Sequence, residues 1–247
     1  MAVLLFAAPA LAGPMKVTAD KVSGTVEVNA GSGWKALAGG DTVPAGADVR
    51  TGAGSSCILT WAGGNVVKLG PSTTMAVEQA DKTATGDEKS LVNLKQGSVR
   101  AHARKLSTEN SSFEIKTPTA VAGVRGTDIL AEIEAGNVTF GVSDGQLEVA
   151  VGEDVFVVDD GFLVNIGLDG AFADPVPIPQ DMQQDLDKEF QELKDQAAAT
   201  PGDEPETGGD TGDAGESQDD MDAVTDELSE TATENIDEIL DDEVIDD

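Results

Sequence analysis

Residues 15–174 predict an all-β domain, solenoid-like or sandwich-like, and two observations carry that prediction. Apolar and polar side chains alternate in Thr25–Asn29, Phe113–Thr117, Asn137–Ser143 and Gln146–Val151. A period of two turns one face of a strand to a core and the other to water. Turn residues separate these runs at intervals of about eight to twelve, the spacing of short strands in a β domain. After Asp174–Pro175 the pattern gives way to an acidic tail, expected to be partly helical and partly disordered.

In chain order, residues 1–12 form an apolar run closing on Ala10-Leu11-Ala12, which reads as a signal peptide lacking its basic n-region. The run is about half of what a membrane span requires. The expectation is therefore an exported chain, periplasmic or secreted, with a β domain over 13–179. Ser56–Trp61 and Asp154–Val158 are more continuously apolar than the other strands and are read as central ones. Asp144-Gly145 and Asp160-Gly161 are read as tight hairpins, where glycine supplies the positive φ. Gly24–Val28, Gly97–Ala101 and Gly145–Val149 each set a glycine two residues before the first of two inward apolar side chains. Their unequal spacing is no tandem repeat, and suggests a strand-turn unit reused with insertions.

Charge narrows the function. The chain has 247 residues, with 47 acidic against 15 basic side chains, a net charge of −32. Residues 1–175 hold 13 basic and 21 acidic groups, whereas the last 72 hold Lys188 and Lys194 against 26 acids. So negative a surface repels phosphate backbones and anionic headgroups, which excludes nucleic acid as a partner. The single cysteine, Cys57, cannot build a disulfide or a thiolate metal site and is read as a small core side chain.

The most specific segment is Phe113-Glu-Ile-Lys-Thr-Pro-Thr-Ala-Val-Ala-Gly-Val-Arg-Gly-Thr-Asp-Ile129. It closely resembles the hallmark of the FecR domain family, in which an amphipathic strand leads to Thr-Pro and then Gly-Val-Arg-Gly-Thr. Gly46–Gly52 with Ser55 and Leu59, Leu94–Val99 and Val142–Val149 resemble the flanking family segments in the same order, so the resemblance covers about residues 40–150. The residues singled out are Thr117, Pro118, Gly123, Val124, Arg125, Gly126 and Thr127. Pro118 fixes φ and bends the chain out of its strand. Gly123 and Gly126 permit close backbone approach or positive φ on either side of Val124-Arg125. Arg125 presents five donors suited to loop carbonyls or to a carboxylate, and a clamped carboxylate ligand is the sharper alternative.

The resemblance implies a mostly β fold and, for the best-known members, inner-membrane regulators whose periplasmic part senses an outer-membrane receptor. In this chain it implies a stand-alone exported FecR-domain protein without the anti-sigma segment and transmembrane helix. The expected function is non-catalytic binding of another envelope protein or a cell-wall component, in envelope signalling or assembly.

No catalytic residue, cofactor or metal site is assigned. His102 sits on the strand face opposite Val99, Ala101 and Ala103 and is read as a solvated side chain. A carbohydrate-active hydrolase with paired carboxylates is the alternative, although the β domain is poor in aromatic platforms for sugars.

In the tail, Met182, Leu186, Phe190 and Leu193 make one apolar stripe of an amphipathic helix over 180–199. A linker follows over 200–220. Met221, Val224, Leu228, Ile236, Ile239 and Leu240 then form the stripe of a marginal acidic helix over 221–247, a candidate for docking on a partner. Its carboxylates could bind calcium weakly and without specificity.

Overall fold

The computed structural model describes residues 13–105 and 108–200. They form two β layers joined by one long strand, with a helix on the outside of the second layer. The first layer contains β1 (Gly13–Pro14), β3 (Val26–Asn29), β4 (Lys35–Ala36), β5 (Ala47–Thr51), β8 (Thr74–Lys82), β10 (Ser112–Lys116), β11 (Val121–Val124), β14 (Gln146–Val151) and β15 (Asp154–Asp159). The second contains β2 (Val17–Ser23), β6 (Ser56–Trp61), β7 (Val66–Leu69), β12 (Thr127–Glu134), β13 (Asn137–Asp144), β16 (Phe162–Ile166) and β17 (Val176–Pro177). The strand β9 (Glu88–Ala103) belongs to both. Its first half pairs with β8 and, in parallel, with β10, and its second half with β7 and β12.

The alternation read from the sequence is what fills the space between the layers. Val49, Met75, Leu94, Phe113, Ile115, Leu147 and Val149 of the first layer share one cluster with Val17, Leu59, Trp61, Val99, Ile129 and Phe140 of the second. Trp61 and Phe113 meet across the gap edge to face, 5.8 Å between ring centres. The fold is thus the all-β domain expected, in its sandwich-like form.

Glycine corners carry the chain between layers. Gly97 (φ +83°) lies where β9 changes sheet, and a Cβ there would come within 2.6 Å of the Thr73 Cα. Gly24 and Gly145 begin two further crossings. The three glycine-led segments noted in the sequence therefore share a physical origin: each opens a strand just after a crossing.

Two expectations about local structure need correction. Asp144-Gly145 and Asp160-Gly161 are not hairpins, since β13 and β14, like β15 and β16, lie in different sheets. A glycine supplies positive φ equally well to a hairpin or to a corner, so the dipeptide alone does not distinguish them. Asp154–Val158 is not a central strand either. Among the described residues β15 pairs only with β14, and Val155 and Val157 are 65% and 51% exposed. Ser56–Trp61 does lie centrally, because both faces of β6 are covered, one by the core and one by the helix.

That helix, α1 (Gln180–Ala199), starts after Pro179 and places Leu186, Phe190 and Leu193 on Ile58, Val66 and Leu130 of the second layer. Met182, the fourth residue of the stripe, stays 37% exposed. The acidic helix also meets basic side chains of that layer: Lys21 with Glu192, Lys68 with Glu189 and Glu192, and Arg100 with Glu189. One sheet is therefore roofed by α1, while no described element covers the outer face of the other.

Candidate functional site

The distinctive motif builds a double corner between the sheets. Thr117 closes the turn after β10, its hydroxyl donating to the Ala120 carbonyl (3.0 Å) and accepting from the Ala120 amide (3.1 Å). Pro118 stands in that turn, where its fixed φ suits the bend. β11 then runs antiparallel to β10, ending at buried Val124. Arg125 and Gly126 (φ +64°) carry the chain into β12 of the other layer. Beside them, Gly145 carries β13 back to β14, so two crossings lie side by side. A Cβ on Gly145 would sit 3.1 Å from the Gly126 carbonyl oxygen, which shows how closely the corners approach. The buried Thr127 hydroxyl ties them together, sharing its proton between the Arg125 and Gln146 carbonyls, 3.1 Å from each.

Next to the corner, the outer face of the first layer is hollowed into a groove of about 440 Å³. In register across three strands, Glu114 lies opposite Gly123 and Gly123 opposite Glu148. Gly123 has no side chain to fill this row. A Cβ there would meet only the Glu148 carbonyl oxygen, at 3.9 Å, so Gly123 is present for space and not for backbone conformation. Val121, Ala150 and Val155 form the apolar side, and Arg125 stands on the rim. The Arg125 guanidinium donates one long bond, 3.4 Å, to the Glu109 carbonyl and is otherwise exposed to water.

His102 is not the solvated side chain expected. It lies beneath α1, where its Nδ1 donates to Asp128 Oδ1 at 2.6 Å, and Lys194 of the helix contacts Asp128 Oδ2 at 2.7 Å. Asp128 is buried, and its two carboxylate oxygens are held from two elements distant in sequence. The hydrogen bond to Asp128, with Asp144 also close at 3.5 Å, raises Lys194 above its usual range. The alternating pattern placed His102 on the outward face of its strand but gave no sign that a helix covers that face. Cys57 is fully buried, and burial pushes its thiol up to about 12. Among the described residues no group of histidine, cysteine and carboxylate side chains is arranged to hold a metal ion. No described helix is long and apolar enough to cross a membrane. The apolar run 1–12, the region 201–247 and its residues Met221, Val224, Leu228, Ile236, Ile239 and Leu240 lie outside the described residues.

A β sandwich whose chain crosses between layers at paired glycine corners, with a groove beside one of them, is the class that fold and site define. Residues 47–148 match the family model described as FecR protein. Two crystal structures of a candidate anti-sigma factor from Parabacteroides distasonis ATCC 8503 are similar at 20% identity, with TM-scores of 0.43 and 0.44. The alignment covers 53% of this chain and 59% of theirs. No curated protein matches the chain.

Proposed function

We propose that the chain is a non-catalytic, exported binding module that engages another envelope protein or a cell-wall component, in envelope signalling or assembly, through the open face of its first layer. The observation that carries this reading is the groove over Gly123, which lies on the FecR motif itself and on the one layer α1 leaves uncovered. Localisation in the periplasm or outside the cell follows from the apolar run at 1–12. Gly123→Val tests the site, because the added side chain fills the groove while its Cβ meets nothing nearer than 3.9 Å. Cross-linking in intact cells should recover the partner at least roughly fivefold less with this variant at unchanged thermal stability, a loss of about 1 kcal/mol of binding. Undiminished recovery would overturn the assignment. A deletion that asks whether the tail takes part must begin after Glu204, since one from residue 180 would strip α1 from the second layer.

A second reading, a carbohydrate-active hydrolase, draws on Glu114 and Glu148, which face the same groove with one strand between them, their backbones about 10 Å apart. Glu148 is exposed to water, and the lining offers no open aromatic face for a sugar ring, because Phe113 is fully buried. Glycan cleavage lost on Glu148→Gln would establish the enzyme; cleavage unchanged by it would remove the groove from any such chemistry.

A further inference from the structure

Five strands of the two sheets have a partner on one side only, and four of them are closed or short. β1, β4 and β17 have two residues each. β2 is bordered by the segment that follows β4, with backbone bonds from Ala19 to Asp41, from Gly40 to Ala19 and from Val43 to Val17. β15, six residues long, is different: among the described residues nothing pairs with its outer side. It is also held firmly in place, since Phe156 stacks on Phe172 at 3.9 Å and 10° between ring planes, and Val158 is buried. Its outward side chains, Val155 and Val157, are among the most exposed large apolar groups of the described residues and continue the apolar side of the groove. Glu153 and Asp154 stand at one end of the strand, Asp159 and Asp160 at the other.

From this we propose that β15 is a pairing edge that takes an extended, basic segment of another protein as a further strand of the first layer. An unpaired backbone row supplies main-chain hydrogen bonds, and side chains at alternate positions supply selectivity. Val155 and Val157 accept apolar residues two apart, and the carboxylates at both ends accept Lys or Arg just beyond them. The same acids repel a second copy of a chain carrying −32 charges. A rigid edge costs little ordering on binding, so the entropy lost is mainly that of the incoming segment. The inference rests on the reading of the open face as a binding surface and adds the chemistry of what binds there.

The probe is a fluorescent peptide, Lys-Thr-Val-Thr-Val-Thr-Lys with blocked ends, whose antiparallel register sets its valines opposite Val155 and Val157 and its lysines opposite Glu153 and Asp159. Fluorescence anisotropy with the full chain should show saturable binding that weakens as salt rises. The Val155→Lys/Val157→Lys variant, with its circular dichroism unchanged, should bind roughly tenfold more weakly. A peptide N-methylated at alternate residues, which cannot complete the ladder, should lose as much, and a Glu-flanked peptide should not bind. No binding, equal binding by the N-methylated or Glu-flanked peptide, or equal binding by the variant would each overturn the proposal. So would a dimer of the free chain that the variant dissolves, which would make a second copy the occupant, or a shift of the amide NMR signals of residues 205–247 in the variant, which would make it the tail. In the cell, partner recovery lost with Gly123→Val but kept with the double variant leaves the binding face standing and removes the edge; recovery kept with both removes the two together.

Discussion

At the scale of single residues, hydroxyl groups hold the sheet crossings. Thr51 donates to the Gly70 carbonyl and accepts from the Thr73 amide, Thr73 bonds the Ser98 backbone, and Ser55 accepts from the Thr25 amide. Thr127 does the same for the motif corner. A corner leaves strand, so its backbone groups lose their ladder partners, and a buried hydroxyl meets that need at the least volume. Thr127→Val keeps the shape and removes the donor. It should cost about 1–2 kcal/mol in urea unfolding, the net worth of a hydrogen bond plus a carbonyl left unsatisfied. Cys57 shows the opposite case, a polarisable group sealed in the core. With its thiol raised to about 12 by burial and, secondarily, by Asp20, it should resist a thiol reagent at pH 8 in the native protein and react at once in denaturant. Rapid labelling of the native chain would contradict that packing.

At the scale of elements, α1 decides which sheet is free. Its three buried apolar side chains outweigh its ion pairs with Lys21, Lys68 and Arg100, because partly exposed pairs contribute at most about 1 kcal/mol each whereas truncating a buried Phe costs about 3–5 kcal/mol. Phe190→Ala should therefore lower the melting temperature far more than Glu192→Gln. The smaller change carries the pH signature. The Lys21 hydrogen bond, with Lys68 close by, holds Glu192 below its ordinary 4.5, so its contribution is complete above that value and fades as pH falls through the lowered one. Lys194, raised above 10.5, contributes fully below that value and loses its contribution as pH rises through the raised one. The melting difference between wild type and Glu192→Gln should stay level from about pH 5 to 9 and close in acid. A difference that persists in strong acid, where the carboxyl is protonated in both folded and unfolded chains, would mean the pair acts through packing.

At the scale of the whole domain, one strand and one core make the two layers a single folding unit. β9 pairs with partners in both, and the main cluster draws on every long strand. Opening one layer would expose the inner face of the other, so partial unfolding gains nothing. Denaturation of the Trp34→Phe variant, followed by fluorescence of Trp61, buried between the layers, and by far-ultraviolet circular dichroism, should give coincident curves with a single transition. Two separated transitions would show that the layers fold apart.

The local pattern determined much of this protein. A period of two specifies which side chains face the core, and it did so for Val26, Phe113, Ile115, Leu147 and Val149. The Gly-Val-Arg-Gly-Thr run marked the segment that matches the FecR family model, and the stripe of α1 was legible apart from Met182. What local pattern does not carry is which strand lies beside which. Asp144-Gly145 turns the chain whether it returns to the same sheet or crosses to the other. Asp154–Val158 is equally apolar at an edge or in the middle, and His102 faces outward on its strand whether water or a helix lies beyond. Each of these was settled by contacts between residues far apart in the chain: β14 paired with β11, Lys194 with Asp128, and α1 with one sheet of two. Long-range pairing also decided the candidate site, because the groove exists only where Glu114, Gly123 and Glu148 come into register from three separate strands.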